Sequence, residues 1–560
     1  MVSRALFTIA ATLLSAALVL RPANAGESHK KKSRNLVRRP PGQTKPQVRG
    51  AAANRNLPRL AKGLQSATAP RVVKNPDDPR ERRVAKLREQ LESILQDRVL
   101  RRSRIGVEVM AEADGDILFS HNAEKLFNPA SNTKLLTTGA ALTFLGVDFR
   151  YATGLYGPPP DEEGVIHGDV ELRGSGDPSL SSRSLLELAS QVRELGVTKI
   201  DGAVFVDGRF HDSVHHWVAV GDQALILNRN TYLVRVRPTS PRQRPTIEIE
   251  PPLPGFFALE NAAVTVAGRK TRLRIDSRRG KDGHGIILTV RGRINDRSDF
   301  VTRRRVADGA PLAGEVLRKA LIDLGVNVVG PLRFGSLMGA APLIAEHRSA
   351  SLADICRVSN KDSNNFVAEA IFRTVGGALF GLPGTLAKGT RAVDALMAPL
   401  RLSRASYTIV NGSGLTHANR IQPSGLVLLL RYLGFDLAVA PEFLSSLAVA
   451  GIDGTIRGRF LGTRAVGLVR AKTGTLSGVS TLSGYVGDIG DVLIFSIMVE
   501  GFRHRAVTAV RQAQVRMVEA MLAFLRTERP QTTPSFLDQS SPAPFEDSES
   551  DGDPEAIDGR

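Results

Sequence analysis

Residues 128–146 read Asn-Pro-Ala-Ser-Asn-Thr-Lys-Leu-Leu-Thr-Thr-Gly-Ala-Ala-Leu-Thr-Phe-Leu-Gly. Pro129 and Ala130 lead into a helix that begins near Ser131. Leu135, Leu136, Ala140, Ala141, Leu142 and Leu145 supply its apolar side, and Gly146 its stop. Ser131 and Lys134 are three apart, so on a helix they share one face. A serine hydroxyl is a poor nucleophile until a neighbouring base takes its proton, and an amine one turn away is placed to do so. The helix start also lends positive backbone potential to a developing oxyanion. Alone, such a pair is more often an ordinary helix start.

Two strings downstream change the weighing: Ser363-Asn364-Asn365 and Lys472-Thr473-Gly474-Thr475. Ser363 offers a hydroxyl that can pass a proton between lysine and a leaving amine, and Asn365 an amide that can bond a substrate amide. A second cation at Lys472, brought beside Lys134, favours a neutral lysine. Lys472, Thr473 and Thr475 present a cation and two hydroxyls suited to a substrate carboxylate. Gly474 permits close backbone approach, and the N–H groups of Thr475 and Ser131 can together form an oxyanion hole. Singly these strings are turns, caps and loops. Jointly, in this order, they are the set for acyl transfer by an activated serine. The catalytic set read from the sequence is therefore Ser131, Lys134, Ser363, Asn365 and Lys472, with Thr473, Gly474 and Thr475 binding substrate. The chemistry calls for no cofactor and no metal; His211, His215 and His216 sit in a Gly/Asp-rich loop without an acidic partner pattern.

Around these strings the chain divides by texture. Val84, Leu87, Leu91, Ile94, Leu95 and Val99 recur at helical steps from Arg80 to Arg101. Ile105 to Met110 alternates as a strand, Asp114-Gly115-Asp116 turns, and Ile117 to Ser120 returns. From about 150 to 345, short strand-like runs (165–173, 200–206, 231–236, 263–275, 285–290) punctuated by Gly, Pro and Asp read as a mainly β insertion. Helical pattern resumes at Leu352, through Phe366 to Phe372 and from Pro423 to Leu433. Two strong strands, Thr481 to Val486 and Val492 to Val499, precede a final amphipathic helix from Ala506 to Leu525. The expected division is residues 80–150 and 345–528 as one discontinuous catalytic domain, with 151–344 inserted.

The ends read differently. Arg4, the apolar run from Ala5 to Leu20 and Ala23-Asn24-Ala25 form a secretory signal peptide over residues 1–25, so the chain is expected to cross the inner membrane, be cleaved, and work in the periplasm or cell envelope. From Gly26 to Pro79 there are thirteen Lys/Arg against three acids. From Arg529 to Arg560 there are eight acids against two arginines. Both are expected to be disordered, a basic arm and an acidic tail. The formal charge of +19 raises nucleic acid as a partner, but export and the lack of interleaved basic and aromatic residues argue against it. The arm is better matched to anionic envelope polymer. Cys356, the lone cysteine, cannot form an intramolecular disulfide and reads as a small buried hydrophobe.

Further strings now carry a resemblance: Asn128-Pro-Ala-Ser-Asn-Thr-Lys134, Gly174-Ser-Gly-Asp-Pro178, Glu369-Ala370, Asn411-Gly-Ser-Gly-Leu415 and Asn419-Arg420. The chain resembles the D-alanyl-D-alanine carboxypeptidase/endopeptidase family of low-molecular-mass, class C penicillin-binding proteins. Its hallmark is a large insertion between the first two motifs, and here 232 residues separate Ser131 from Ser363. The second motif reads Ser-Asn-Asn rather than Ser-Asp-Asn, and Asn411 stands where the family commonly has Asp. The resemblance implies an α/β (α+β) transpeptidase-like domain, a five-stranded antiparallel sheet flanked by helices, beside inserted domains. It implies cleavage of the terminal D-Ala from peptidoglycan stem peptides, hydrolysis of cross-links, and acylation by penicillin and other β-lactam antibiotics at Ser131. A serine β-lactamase or esterase on the same plan, and a catalytically idle wall-binding scaffold, are the alternatives.

Overall fold

The computed structural model describes residues 78–211, 225–280, 285–306, 309–337, 341–488 and 490–526; the signal peptide, nearly all of the basic arm and the whole of the acidic tail lie outside them. Helix α1 (Pro79–Leu95) starts where Asp78 accepts from the Arg80 N–H at 2.8 Å with Pro79 in the first turn. It buries Val84, Leu87, Leu91 and Leu95, each worth roughly 1.5–3 kcal/mol on full burial. It ends before the sequence pattern does. Residues 96–103 form turns, yet Leu100 remains buried.

Strands β1 (Arg104–Ala111) and β2 (Ile117–His121) form the expected hairpin. Helix α2 (Thr133–Leu145) follows a single 3-10 turn over Ala130–Asn132 and stops at Gly146, whose φ of +88° suits glycine. Helices α3 (Leu352–Lys361), α4 (Asn365–Phe380) and α5 (Pro423–Phe435) come after the long insertion. Strands β3 (Ala448–Val449), β4 (Val469–Leu476), β5 (Val479–Asp488) and β6 (Asp491–Glu500) lead to helix α6 (Val507–Arg526).

These strands form one antiparallel sheet in the order β3-β4-β5-β6-β1-β2. Five are long or hairpin-paired; the sixth, β3, is a two-residue pairing with Ala471 and Arg470, one strand more than the expected five. Alternation along the strands separates two cores. On one face Val107, Val109, Leu482 and Ile497 pack with α1 and α6. On the other Met110, Ile494 and Met498 pack with α2, α4 and α5. The molecule is a mixed α+β fold with helices on both faces of the sheet.

Between Ala152 and Arg348 the strands belong to four other sheets, among them a mixed five-stranded one. One buried cluster from Leu155 to Ala345 holds them together. Two helices, Ser182–Glu194 and Gly309–Asp323, pack within this cluster. The first has a capping box at Ser181 and Ser184.

Candidate active site

The 3-10 turn at the start of α2 is held in an unusual backbone state. Ala130 has φ +45°, sparsely populated for a residue with a Cβ. Asn128 fixes it: its Oδ1 accepts from the Ala130 N–H at 2.7 Å and its amide donates to the Thr416 carbonyl. The turn lifts Ser131 out of the core, half-buried, while Lys134 one turn on is wholly buried.

Lys134 Nζ bonds Ser131 Oγ at 3.0 Å, Asn365 Oδ1 at 2.6 Å and the Ser413 carbonyl at 2.8 Å. Asn365 Oδ1 and the Ser413 carbonyl can only accept, so they occupy two N–H groups. Ser131 Oγ can donate to a lone pair or accept from an ammonium. The same geometry thus serves either protonation state of the amine.

Ser363 and Asn365 come from the junction of α3 and α4. Ser363 has φ +56°, a second left-handed residue at the site. Asn364 caps α4 by accepting from the Val367 N–H at 3.0 Å, which starts the helix at Asn365. Lys472, on β4, is wholly buried and donates to Ser363 Oγ and the Thr473 carbonyl, both at 2.8 Å. Its ammonium is held well below the ordinary lysine range, first by burial and then by the charge of Lys134, with Asp362 acting the other way. The five residues assigned to chemistry by sequence therefore meet in one cluster, bridged by hydrogen bonds from two lysines.

Gly474 explains how β4 comes so close. A Cβ there would lie 2.2 Å from Thr481 Oγ1 and 2.7 Å from the Pro129 carbonyl, so only glycine lets the strand lie against the turn that carries Ser131. Past Ala471, β4 has no strand on its outer edge among the described residues. Thr473, half-buried, donates to Thr455 Oγ1 at 2.8 Å, and Thr475 is exposed with its hydroxyl accepting from Arg511 at 3.2 Å.

Supporting groups complete the site. Buried Glu369 accepts from the N–H groups of Gly412 and Ser413 and so aims the Ser413 carbonyl at Lys134. Asn411 Oδ1 accepts from the Gly414 N–H and from Asn419; both are contacts that a neutral amide serves fully. The Ser413 carbonyl was not legible as a site group, because a backbone contact leaves no trace in side-chain identity. His211 is buried against Thr374 Oγ1 at 3.3 Å, its imidazole pushed down to about 3 by burial and by Arg373; His215 and His216 lie outside the described residues. Cys356 is fully buried, its thiol pushed up by burial.

The profile of the D-Ala-D-Ala carboxypeptidase 3 (S13) family matches residues 87–521. The chain belongs to this family. Among similar proteins, the D-alanyl-D-alanine carboxypeptidase of Actinomadura sp. (strain R39) is 33% identical over 469 residues, covering 78% of this chain and 85% of that protein. The D-alanyl-D-alanine carboxypeptidase DacB of Haemophilus influenzae is 23% identical over 422 residues, covering 71% of this chain and 86% of that one. The crystal structure of penicillin binding protein 4 from Haemophilus influenzae superposes with a TM-score of 0.64 at 21% identity, over 77% of this chain and 98% of that one. It shares the fold. This S13 chain is a serine-type peptidase of the D-Ala-D-Ala carboxypeptidase class.

Proposed function

We propose that this chain removes the terminal D-Ala from peptidoglycan stem peptides and opens peptide cross-links through an acyl-enzyme on Ser131, and that penicillin acylates the same residue. The observation that carries the reading is Lys134 Nζ, 3.0 Å from Ser131 Oγ and bonded also to the acceptors Asn365 Oδ1 and the Ser413 carbonyl.

In this reading Ser131 Oγ attacks the carbonyl carbon of the penultimate D-Ala as its proton passes to neutral Lys134. The tetrahedral oxyanion is held by the N–H groups of Ser131 and Thr475. The proton then travels by way of the Ser363 hydroxyl to the leaving amine, and the C–N bond breaks. D-Ala departs, or in a cross-link the amine of the neighbouring stem. Water, deprotonated by the same route, hydrolyses the ester and restores the serine. Lys472, Thr473 and Thr475 hold the substrate carboxylate, and Asn365 its amide.

Mass spectrometry of the protein with and without penicillin tests this. One penicilloyl group on the peptide containing Ser131, absent from Ser131→Ala and held for minutes, is the expected result. No adduct would favour an idle scaffold, and rapid release a β-lactamase. Such a substrate places the enzyme outside the cytoplasm; among the described residues no helix is long and apolar enough to cross a membrane. The basic arm would then meet anionic envelope polymer, and its deletion should lower retention on cell walls at low salt.

A further inference from the structure

The sheet carries a polar row of which the chemistry above uses only the first member, Lys472. Antiparallel register sets Lys472 of β4 opposite Ser483 of β5, Ser483 opposite Ser496 of β6, Ser496 opposite Glu108 of β1, and Glu108 opposite Ser120 of β2. Directly opposed residues share a face, so all five stand side by side. Ser483, Ser496 and Glu108 are all buried. They are joined to the site through Asn132, the residue after Ser131. Asn132 donates to Ser483 Oγ at 2.7 Å, and Ser483 donates to Ser496 Oγ at 2.9 Å.

Each donor in this chain points the same way, toward β1, and the chain needs an acceptor at its end. Glu108 stands there. It is 2% exposed, and its Oε2 is buried and still unfilled: the bonded chain in this structure stops at Ser496, directly opposite on the next strand. We propose that Glu108 is a positioning residue for the acyl transfer: turning the Ser496 hydroxyl onto the unfilled Glu108 Oε2 makes this carboxylate the terminal acceptor of a hydrogen-bond chain that runs from Asn132 across β5, β6 and β1 and fixes the turn carrying Ser131. This rests on the reading of Ser131 as the nucleophile.

The carboxyl is a titratable end to that chain. Burial pushes it up to about 7, with Ser120 opposing the shift by a hydrogen bond and Glu124 adding to it. Helix α5 packs on the same strand, and its ionisable groups are Arg431, which lies beside Glu112, and Tyr432. Above about pH 7 the chain ends on a charged acceptor; below it, on a neutral acid that accepts more weakly.

The test is the second-order rate of penicillin acylation from pH 5 to 9 for wild type, Glu108→Gln, Ser496→Ala and the double variant. Glutamine keeps the volume and an acceptor but cannot titrate. The ratio of wild type to Glu108→Gln should rise about two- to tenfold through neutral pH, the worth of one hydrogen bond. In the Ser496→Ala background, where the chain is cut, the same ratio should be flat. A flat ratio with Ser496 present overturns the proposal, as does a rise that persists without Ser496. Should Glu108→Gln fail to fold, Ser496→Ala alone decides: a loss at pH 8 that vanishes at pH 5.5 supports the chain, and a pH-independent loss overturns it. Absence of any Ser131 adduct in wild type would instead sink the acyl-enzyme reading, so the two failures are distinct.

Discussion

Two regions of this molecule set cations side by side, and they differ in where the surroundings put the cost. In the six-stranded sheet, Lys134 and Lys472 are both wholly buried around one serine cluster. In the insertion, strands Arg272–Arg279 and Ile286–Asn295 pair so that Arg272 faces Arg293 and Arg274 faces Arg291. That second group lies on the solvent side of its sheet, opposite the buried Ile275 and Val290. Burial turns repulsion into a protonation effect: Lys472 is held well below its usual range. Arginine cannot shed its proton, so water and salt must screen the block instead. Lysine belongs in the first setting because it can lose a proton, and arginine is tolerated in the second because it need not.

The largest effects should come from the lysine pair and its serine. Ser131→Ala should abolish peptide hydrolysis and penicillin acylation with little change in thermal stability, since one half-buried oxygen is lost. Lys134→Ala should slow acylation by ~10²–10⁴-fold. Lys134→Arg should do nearly as badly, because guanidinium retains its charge but cannot accept the serine's proton. Near-normal acylation by the arginine variant would remove Lys134 as the base and, with it, the contrast between the regions.

Next is the approach of β4 to the nucleophile turn. Gly474→Val would drive a side chain into Thr481 Oγ1 and the Pro129 carbonyl. The strand must then move away, at about 1–3 kcal/mol for the overpacking. Acylation should fall at least tenfold, read as a loss in kcat/KM for a D-Ala-D-Ala peptide. A valine variant with wild-type kinetics would show that this close approach is dispensable.

Glu108 extends the burial rule to a carboxylate. Its carboxyl is raised to about 7 in the fold from 4.5, so the stability it contributes is present in full below about pH 4.5 and lost as pH rises to about 7. The penalty at pH 8 is of the order of 3 kcal/mol. Denaturant midpoints of Glu108→Gln and wild type should therefore diverge between these pH values, with the glutamine form gaining. Parallel pH curves would place the Glu108 carboxyl in a far wetter setting than its burial indicates.

What the sequence made legible follows the range of each signal. The Ser131–Lys134 relation is local, fixed by helix geometry, and the structure places the two atoms at hydrogen-bond distance. The strands at 479–488 and 491–500 showed through their apolar runs, yet Ser483 and Ser496 inside them passed as ordinary strand residues. Only cross-strand register reveals that they align with Glu108 and Lys472. Helix Ser182–Glu194 had its own signal in Leu185, Leu188, Ala189 and Val192 at three- and four-residue steps; the flanking β texture masked it. The left-handed backbone of Ala130 and Ser363 had none, because neither residue type favours it and tertiary contacts impose it.

The smallest expected effect tests the exposed half of the comparison. On the solvent face of the inserted sheet, Arg274 pairs with Asp276 at 2.9 Å and Arg278 with Glu260 at 2.9 Å. Arg272, Arg291 and Arg293 form no ion pair among the described residues. Like charges directly opposed across strands cost roughly 0.2–1 kcal/mol, and β-branched threonine suits a strand. Arg272→Thr should therefore raise the unfolding free energy by a few tenths of a kcal/mol at low salt, and the gain should shrink at high salt as screening replaces it. Acylation by penicillin should stay unchanged, since the substitution leaves the serine cluster and its lysines in place. A salt-independent gain would assign the effect to strand propensity rather than charge. A loss of stability would show that the arginine stems pack on the sheet and outweigh the repulsion.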